Sequence, residues 1–161
     1  MRGLSFLVGG ELYAVDVTLV QKVARKLTIT PVPSAPDEVV GIANMKGRVV
    51  TILSLIRLLD GEEECPAKNL INTIVFKSDS SSEDQMGLAI EKPGILIDFS
   101  DSAIRSPPLS EGKEEGFCIS GIAEVDDRIY RIINLDLIRQ KYMTGSETIT
   151  MNTSFGGIED V

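Results

Sequence analysis

With no histidine in the chain, the commonest general base and the usual zinc ligand are both missing, and so is phosphotransfer through an imidazole. Cys65 and Cys118 are an isolated pair without metal-ligand spacing, and in a chain read as cytoplasmic they are expected to be free thiols. Asp98 and Asp101 could share a cation, but no loop of regularly spaced oxygen ligands surrounds them. Serine and lysine occur without a Gly-x-Ser-x-Gly elbow and without a Gly-rich cradle opening a helix. No catalytic residue, metal site or cofactor is therefore expected, because a function has to be argued from a site and none assembles. Arg48 and Arg128 recur by position, which suggests a structural charge beside a turn more than a binding residue.

Those two arginines belong to a longer repeat. Gly41-Ile42-Ala43 leads through Arg48 and Ile52 to Leu55, and eighty residues later Gly121-Ile122-Ala123 leads through Arg128 and Ile132 to Leu135. Between the matches, Met45, Val49, Leu53 and Leu58 correspond to the apolar Val125, Ile129, Ile133 and Ile138. A shared offset with preserved hydrophobicity indicates two copies of one unit. Units this small hold too little core to stand alone, so burial of one against the other is expected, with Ile52, Leu53 and Leu55 and their counterparts at a common apolar interface.

The local signals are those of strands. Ser5–Val8 and Leu12–Val15 flank Gly9-Gly10, a dipeptide suited to the positive φ of a tight hairpin. Further extended runs are Leu27–Thr30, Val39–Ala43, Arg48–Leu53, Thr73–Phe76, Met86–Ile90, Ile95–Phe99, Phe117–Val125 and Arg128–Ile133. Pro31, Pro33 and Pro36 break the first half, and Pro107-Pro108 breaks the second. Asn44–Gly47 and Asp126-Asp127 are the matching turns. Ser54 and Asn134 are placed to cap short helices over Leu55–Leu59 and Leu135–Tyr142, with Gly61 and Gly145 beyond their ends. Ser78–Gln85 reads as a polar loop, and residues 144–161 as a weakly ordered tail.

Composition bounds the partners. The net charge is −8, and it is uneven: residues 1–59 carry seven Lys or Arg against four Asp or Glu, and residues 60–161 carry nine against twenty. An acidic chain is a poor binder of nucleic acid or anionic membrane, because phosphate attraction is the sequence-independent part of such affinity. No apolar run approaches the roughly 20 residues of a membrane span, and no secretory segment opens the chain, so a cytoplasmic location without membrane insertion is expected.

The run Val39-Val40-Gly41-Ile42-Ala43-Asn44-Met45-Lys46-Gly47-Arg48-Val49-Val50, following Ile29-Thr30-Pro31-Val32-Pro33, resembles the signature of the CheW family. Phe6–Val17 is similar to that family's first hairpin, and Val20–Val23, Gly87–Lys92 and Gly121–Ala123 keep pace with it. The resemblance covers about residues 4–142. It implies an all-β fold of two SH3-like five-stranded barrel subdomains with short connecting helices. One domain would span 4–143, with the first barrel over about 15–70, the second over about 71–135, and strand exchange at the ends. It further implies an adaptor that couples the cytoplasmic tip of methyl-accepting chemoreceptors to the regulatory domain of the histidine kinase CheA in chemotaxis, not an enzyme.

The protein-binding residues that follow from the resemblance are Val20, Lys22, Gly41, Asn44, Lys46 and Gly47. At the positions of Lys22 and Lys46 the family usually has Glu and Arg, an expected ion pair. Two ammonium groups there repel, and Lys lacks the planar fork of Arg. The family's Asp-Leu-Arg after the strand is here Ser54-Leu55-Ile56. The other reading is accordingly a divergent CheW-like regulatory module that serves, or competes for, a different kinase or receptor system. Taken alone, Gly41 and Gly121 fit a strand bulge or close backbone approach, Gly47 fits a turn, and the two lysines fit solvated surface.

Overall fold

A computed structural model describes residues 1–59, 70–78, 85–106 and 118–142. Cys65, Gly61, Gly145, Pro107-Pro108, most of the Ser78–Gln85 loop and the 144–161 tail lie outside the described residues. In chain order the elements are β1 (Arg2–Val8), β2 (Glu11–Asp16), β3 (Val20–Thr28), β4 (Val39–Met45), β5 (Arg48–Ser54) and α1 (Leu55–Leu58). They continue with β6 (Leu70–Phe76), β7 (Gln85–Ile90), β8 (Lys92–Asp98), β9 (Ile104–Arg105), β10 (Ile119–Val125), β11 (Arg128–Ile133) and α2 (Leu135–Tyr142).

The strands form two sheets, one in the order β3-β6-β7-β5-β4 and one in the order β8-β1-β2-β11-β10-β9. The first closes on itself where Thr30, just beyond β3, bridges Ile42 of β4 through two backbone hydrogen bonds of 2.8 Å. In the second sheet the two end strands, β8 and β9, are successive pieces of one chain path separated by the 3-10 turn Asp101–Ala103. That turn splits the expected fifth strand in two, which is why six strands appear where five were expected.

The two sheets are built alike. β5 runs parallel to β7, and β11 runs parallel to β2; Thr51 pairs with Met86 as Arg131 pairs with Tyr13. β1–β2 is therefore the counterpart of β6–β7, and each hairpin sits in the sheet of the other half. The sequence division near residue 70 differs from this arrangement. β6 and β7 complete the first barrel, which draws on residues 20–90, while β1 and β2 lie in the second. Alternating apolar residues specify which face of a strand is buried, but not which strand it will pair with.

Three apolar clusters follow from the alternation. The largest lies between the barrels and takes Leu53, Leu55 and Leu58 with Ile133, Leu135 and Ile138, plus Phe6, Tyr13 and Val15 with Phe76, Met86 and Leu88. Ile52 points instead into the first barrel, beside Ala43 and Val50, and Ile132 into the second, beside Ala123 and Tyr130. Ile52 and Ile132 thus occupy equivalent places but do not share the central interface, because neighbouring strand residues face opposite sides. The caps behave as expected: Ser54 Oγ accepts from Arg57 N at 3.4 Å, and Asn134 Oδ1 accepts from Leu137 N at 3.2 Å.

Candidate functional site

At one end of the first barrel, the start of β3, the β4–β5 turn, the end of β6 and the start of β7 converge. Gln21, Lys22, Met45, Lys46, Arg48, Val75 and Gln85 line a groove there of about 340 Å³. Val75 and Gln85 form a buried floor, and the three cations stand at its exposed edge. Gln85 is held by a hydrogen bond from its Nε2 to Gln21 Oε1 and by a longer one to the Phe76 carbonyl at 3.4 Å. Arg48 Nη1 reaches Ser78 Oγ at 3.5 Å. No carboxylate is among the described residues that line the groove.

The β4–β5 turn decides where Lys46 points. Met45 pairs with Arg48, so the loop has only two residues, and both have positive φ: 54° at Lys46 and 84° at Gly47. This is the primed hairpin turn that fits the twist of paired strands. Asn44 Oδ1 accepts from Gly47 N at 3.0 Å and fixes it. The second copy repeats the geometry at Asp126 and Asp127, with φ of 53° and 64°. Lysine is an unfavourable residue for the left-handed region, whereas Asn-Gly is the preferred pair. Lys46→Asn is therefore expected to stabilise the protein by about 0.5 kcal/mol and raise the melting temperature by about 1–2 °C. A thermal melt that leaves Tm unchanged or lowers it would remove this account of the turn.

Of the six residues expected to bind a partner, the groove brings together Lys22 and Lys46. Val20 is half-buried against the central cluster. Gly41 is buried inside its own barrel wall, where an added Cβ would lie 2.7 Å from Ile29 Cγ2 and closer still to the Thr30 carbonyl oxygen. Asn44 and Gly47 are exposed but serve the turn. Gln21, Arg48 and Gln85 were not singled out as groove residues. Their shared position depends on which strands pair, and no spacing in the chain signals it.

Elsewhere the acidic pair is divided between two cations. Arg2 Nε meets Asp98 Oδ1 at 3.3 Å, and the Met1 amino group meets Asp101 Oδ1 at 3.8 Å. Among the described residues no three His, Cys, Asp or Glu gather as metal ligands. Burial pushes the Cys118 thiol up to about 11, so it is protonated and unreactive near neutrality. Tyr13 is also raised by burial, with Arg131 opposing. Arg131 lies 5.9 Å from the Tyr13 ring centre and donates to Glu11 Oε2 at 2.9 Å.

A second surface feature lies on the other barrel. Among the described residues β8 ends its sheet, with β1 as its one neighbour. A register shift opposite Ser5 makes a bulge, and Ser5 Oγ locks it by accepting from Ile95 N at 2.9 Å and donating to Ile95 O at 3.0 Å. The bulge interrupts the alternation, so the successive side chains Ile95 and Leu96 are both exposed, at 66% and 51%.

Two like barrels on one apolar core, with an apolar strand edge on one and a cationic groove on the other, define a β-barrel binding module. The chain belongs to the CheW-like domain family, whose model matches residues 2–142. It is 25% identical over 137 residues to the chemotaxis protein CheW of Bacillus subtilis, covering 84% of this chain and 85% of that one. It is 25% identical over 151 residues to CheW of Helicobacter pylori, covering 88% and 82%. The crystal structure of the scaffolding protein TtCheW from Thermoanaerobacter tengcongensis has the same fold, with a TM-score of 0.69 at 23% identity over 82% of this chain and 87% of that one. No helix among the described residues is long and apolar enough to cross a membrane.

Proposed function

We propose that this protein is a chemotaxis adaptor that couples chemoreceptors to the histidine kinase CheA. Family membership over nearly the whole chain supports the class, and the exposed Ile95–Leu96 pair on the β8 edge carries the docking step. A strand with one edge unpaired among the described residues and two apolar side chains beside it suits extension or covering by another small barrel, here the CheW-like regulatory domain of the kinase. The receptor's cytoplasmic tip is the second partner, and the adaptor works beside the membrane without entering it.

Ile95→Asp and Leu96→Asp place a charge where an apolar contact forms and disturb no buried packing. Titration of the cognate kinase regulatory domain by calorimetry should show at least a tenfold loss of affinity in either variant, because desolvating an unpaired carboxylate costs more than about 1.4 kcal/mol. Equal binding by parent and both variants would sink the edge-docking reading. The alternative, a module serving a different kinase or receptor system, is favoured by one observation: Lys22 and Lys46 face the same groove without a carboxylate among its described lining.

A further inference from the structure

We infer that the cationic groove receives an acidic segment of a protein partner, with at least two carboxylates reaching Lys22 and Lys46. This deepens the adaptor reading and rests on it. Lys22 and Arg48 come from β3 and β5, on opposite sides of β6 and β7, and Lys46 rises from the strained turn between β4 and β5. Three cations from separate elements therefore converge on one recess. The described residues give Lys22 and Lys46 no ion pair, and Arg48 reaches only a serine hydroxyl at 3.5 Å. Like charges gathered without a counter-charge repel one another, and an incoming carboxylate relieves that repulsion.

The lining chooses among acidic occupants. Met45, half-buried beside the charges, offers apolar area, which suits the methylene stems of glutamate side chains better than a bare inorganic anion. Extended anionic surfaces are opposed by the molecule as a whole, which carries a net charge of −8. A membrane or a nucleic acid would bring many phosphates against that field, whereas a short acidic segment meets the groove alone.

The test uses the full-length protein and a fluorescein-labelled ten-residue peptide of alternating Glu and Ala, followed by anisotropy and stopped flow at low ionic strength. Lys22→Gln with Lys46→Asn removes both charges without straining the turn, and should weaken binding about fivefold. Lys22→Glu with Lys46→Asp reverses them and should weaken it about twentyfold, mainly through a slower association rate. Arg105→Glu, on the other barrel, is the control for net charge and should change affinity less than twofold. A melting temperature no lower than the parent's in each variant excludes unfolding as the cause.

Absence of peptide binding by the parent, or an equal loss in the Arg105 control, overturns the inference. So does displacement by inorganic phosphate as effective, per molecule, as displacement by unlabelled peptide, or tighter binding to vesicles of anionic phospholipid. Titrating the parent with the kinase regulatory domain separates the two levels of the argument. Kinase binding without peptide binding removes the groove and leaves the adaptor; peptide binding without kinase binding does the reverse.

Discussion

Gly41→Ala should lower the stability of the protein by about 3 kcal/mol, close to a 10 °C fall in melting temperature. The added Cβ would press on the Thr30 carbonyl and sit 2.7 Å from Ile29 Cγ2, so the closing segment has to move. That segment is held by the reciprocal Thr30–Ile42 hydrogen bonds and by Ile29 packed in the first barrel's core, and moving it weakens both bonds, at about 1 kcal/mol each. The equivalent Gly121→Ala should cost less, about 1–2 kcal/mol. Its nearest obstacle is a methyl of the half-buried Ile104 side chain at 2.6 Å, and the Arg105 carbonyl is farther off at 3.0 Å. Chemical denaturation of the two variants gives the order directly. Equal losses would mean that the first barrel is not closed more tightly than the second.

The same two glycines show how much of the molecule was legible in its sequence. Gly41 and Gly121 both lie at register shifts and both touch the segment that closes their barrel. The constant offset of eighty residues therefore marked a real structural equivalence. It carried with it the two-residue turns, the caps at Ser54 and Asn134, and the backbone bonds from Ser54 N to Glu38 O and from Asn134 N to Cys118 O, each 2.7 Å. These features are local, and local chemistry repeats when sequence repeats.

The hairpins were less visible. Phe6 corresponds to Phe76 at an offset of seventy and Tyr13 to Met86 at seventy-three, because the two turns differ in length. Only the phenylalanine is retained, so no run of identities announces the match. The groove was legible in part. Resemblance pointed to Lys22 and Lys46, but Arg48, Gln21 and Gln85 join them only once β6 and β7 lie between β3 and β5. Pairing of distant strands is a property of the whole core, and no short window of sequence encodes it.

Phe6→Ala and Phe76→Ala should each cost about 3–5 kcal/mol, and each should lower the stability of both barrels together. Both rings are fully buried in the central cluster, Phe6 stacked on Tyr13 with centroids 5.8 Å apart. Phe6 belongs to a hairpin in the second barrel's sheet and Phe76 to a hairpin in the first, yet both face the same core. A cavity at either place therefore removes contacts from both barrels, and the surrounding sheets cannot collapse to fill it. Urea unfolding should remain a single transition in each variant, with the midpoint lowered and the slope unchanged. Total stability for a domain of this size is about 5–15 kcal/mol, so the variants should stay folded in water but near the threshold. If Phe76→Ala gave two transitions, with the β11 sheet surviving the loss of the β5 sheet, the barrels would be independent units. The exchange of hairpins would then be a matter of topology and not of stability. A single transition makes it the device that couples them, since neither sheet can open without uncovering the phenylalanine lodged in the core it shares with the other.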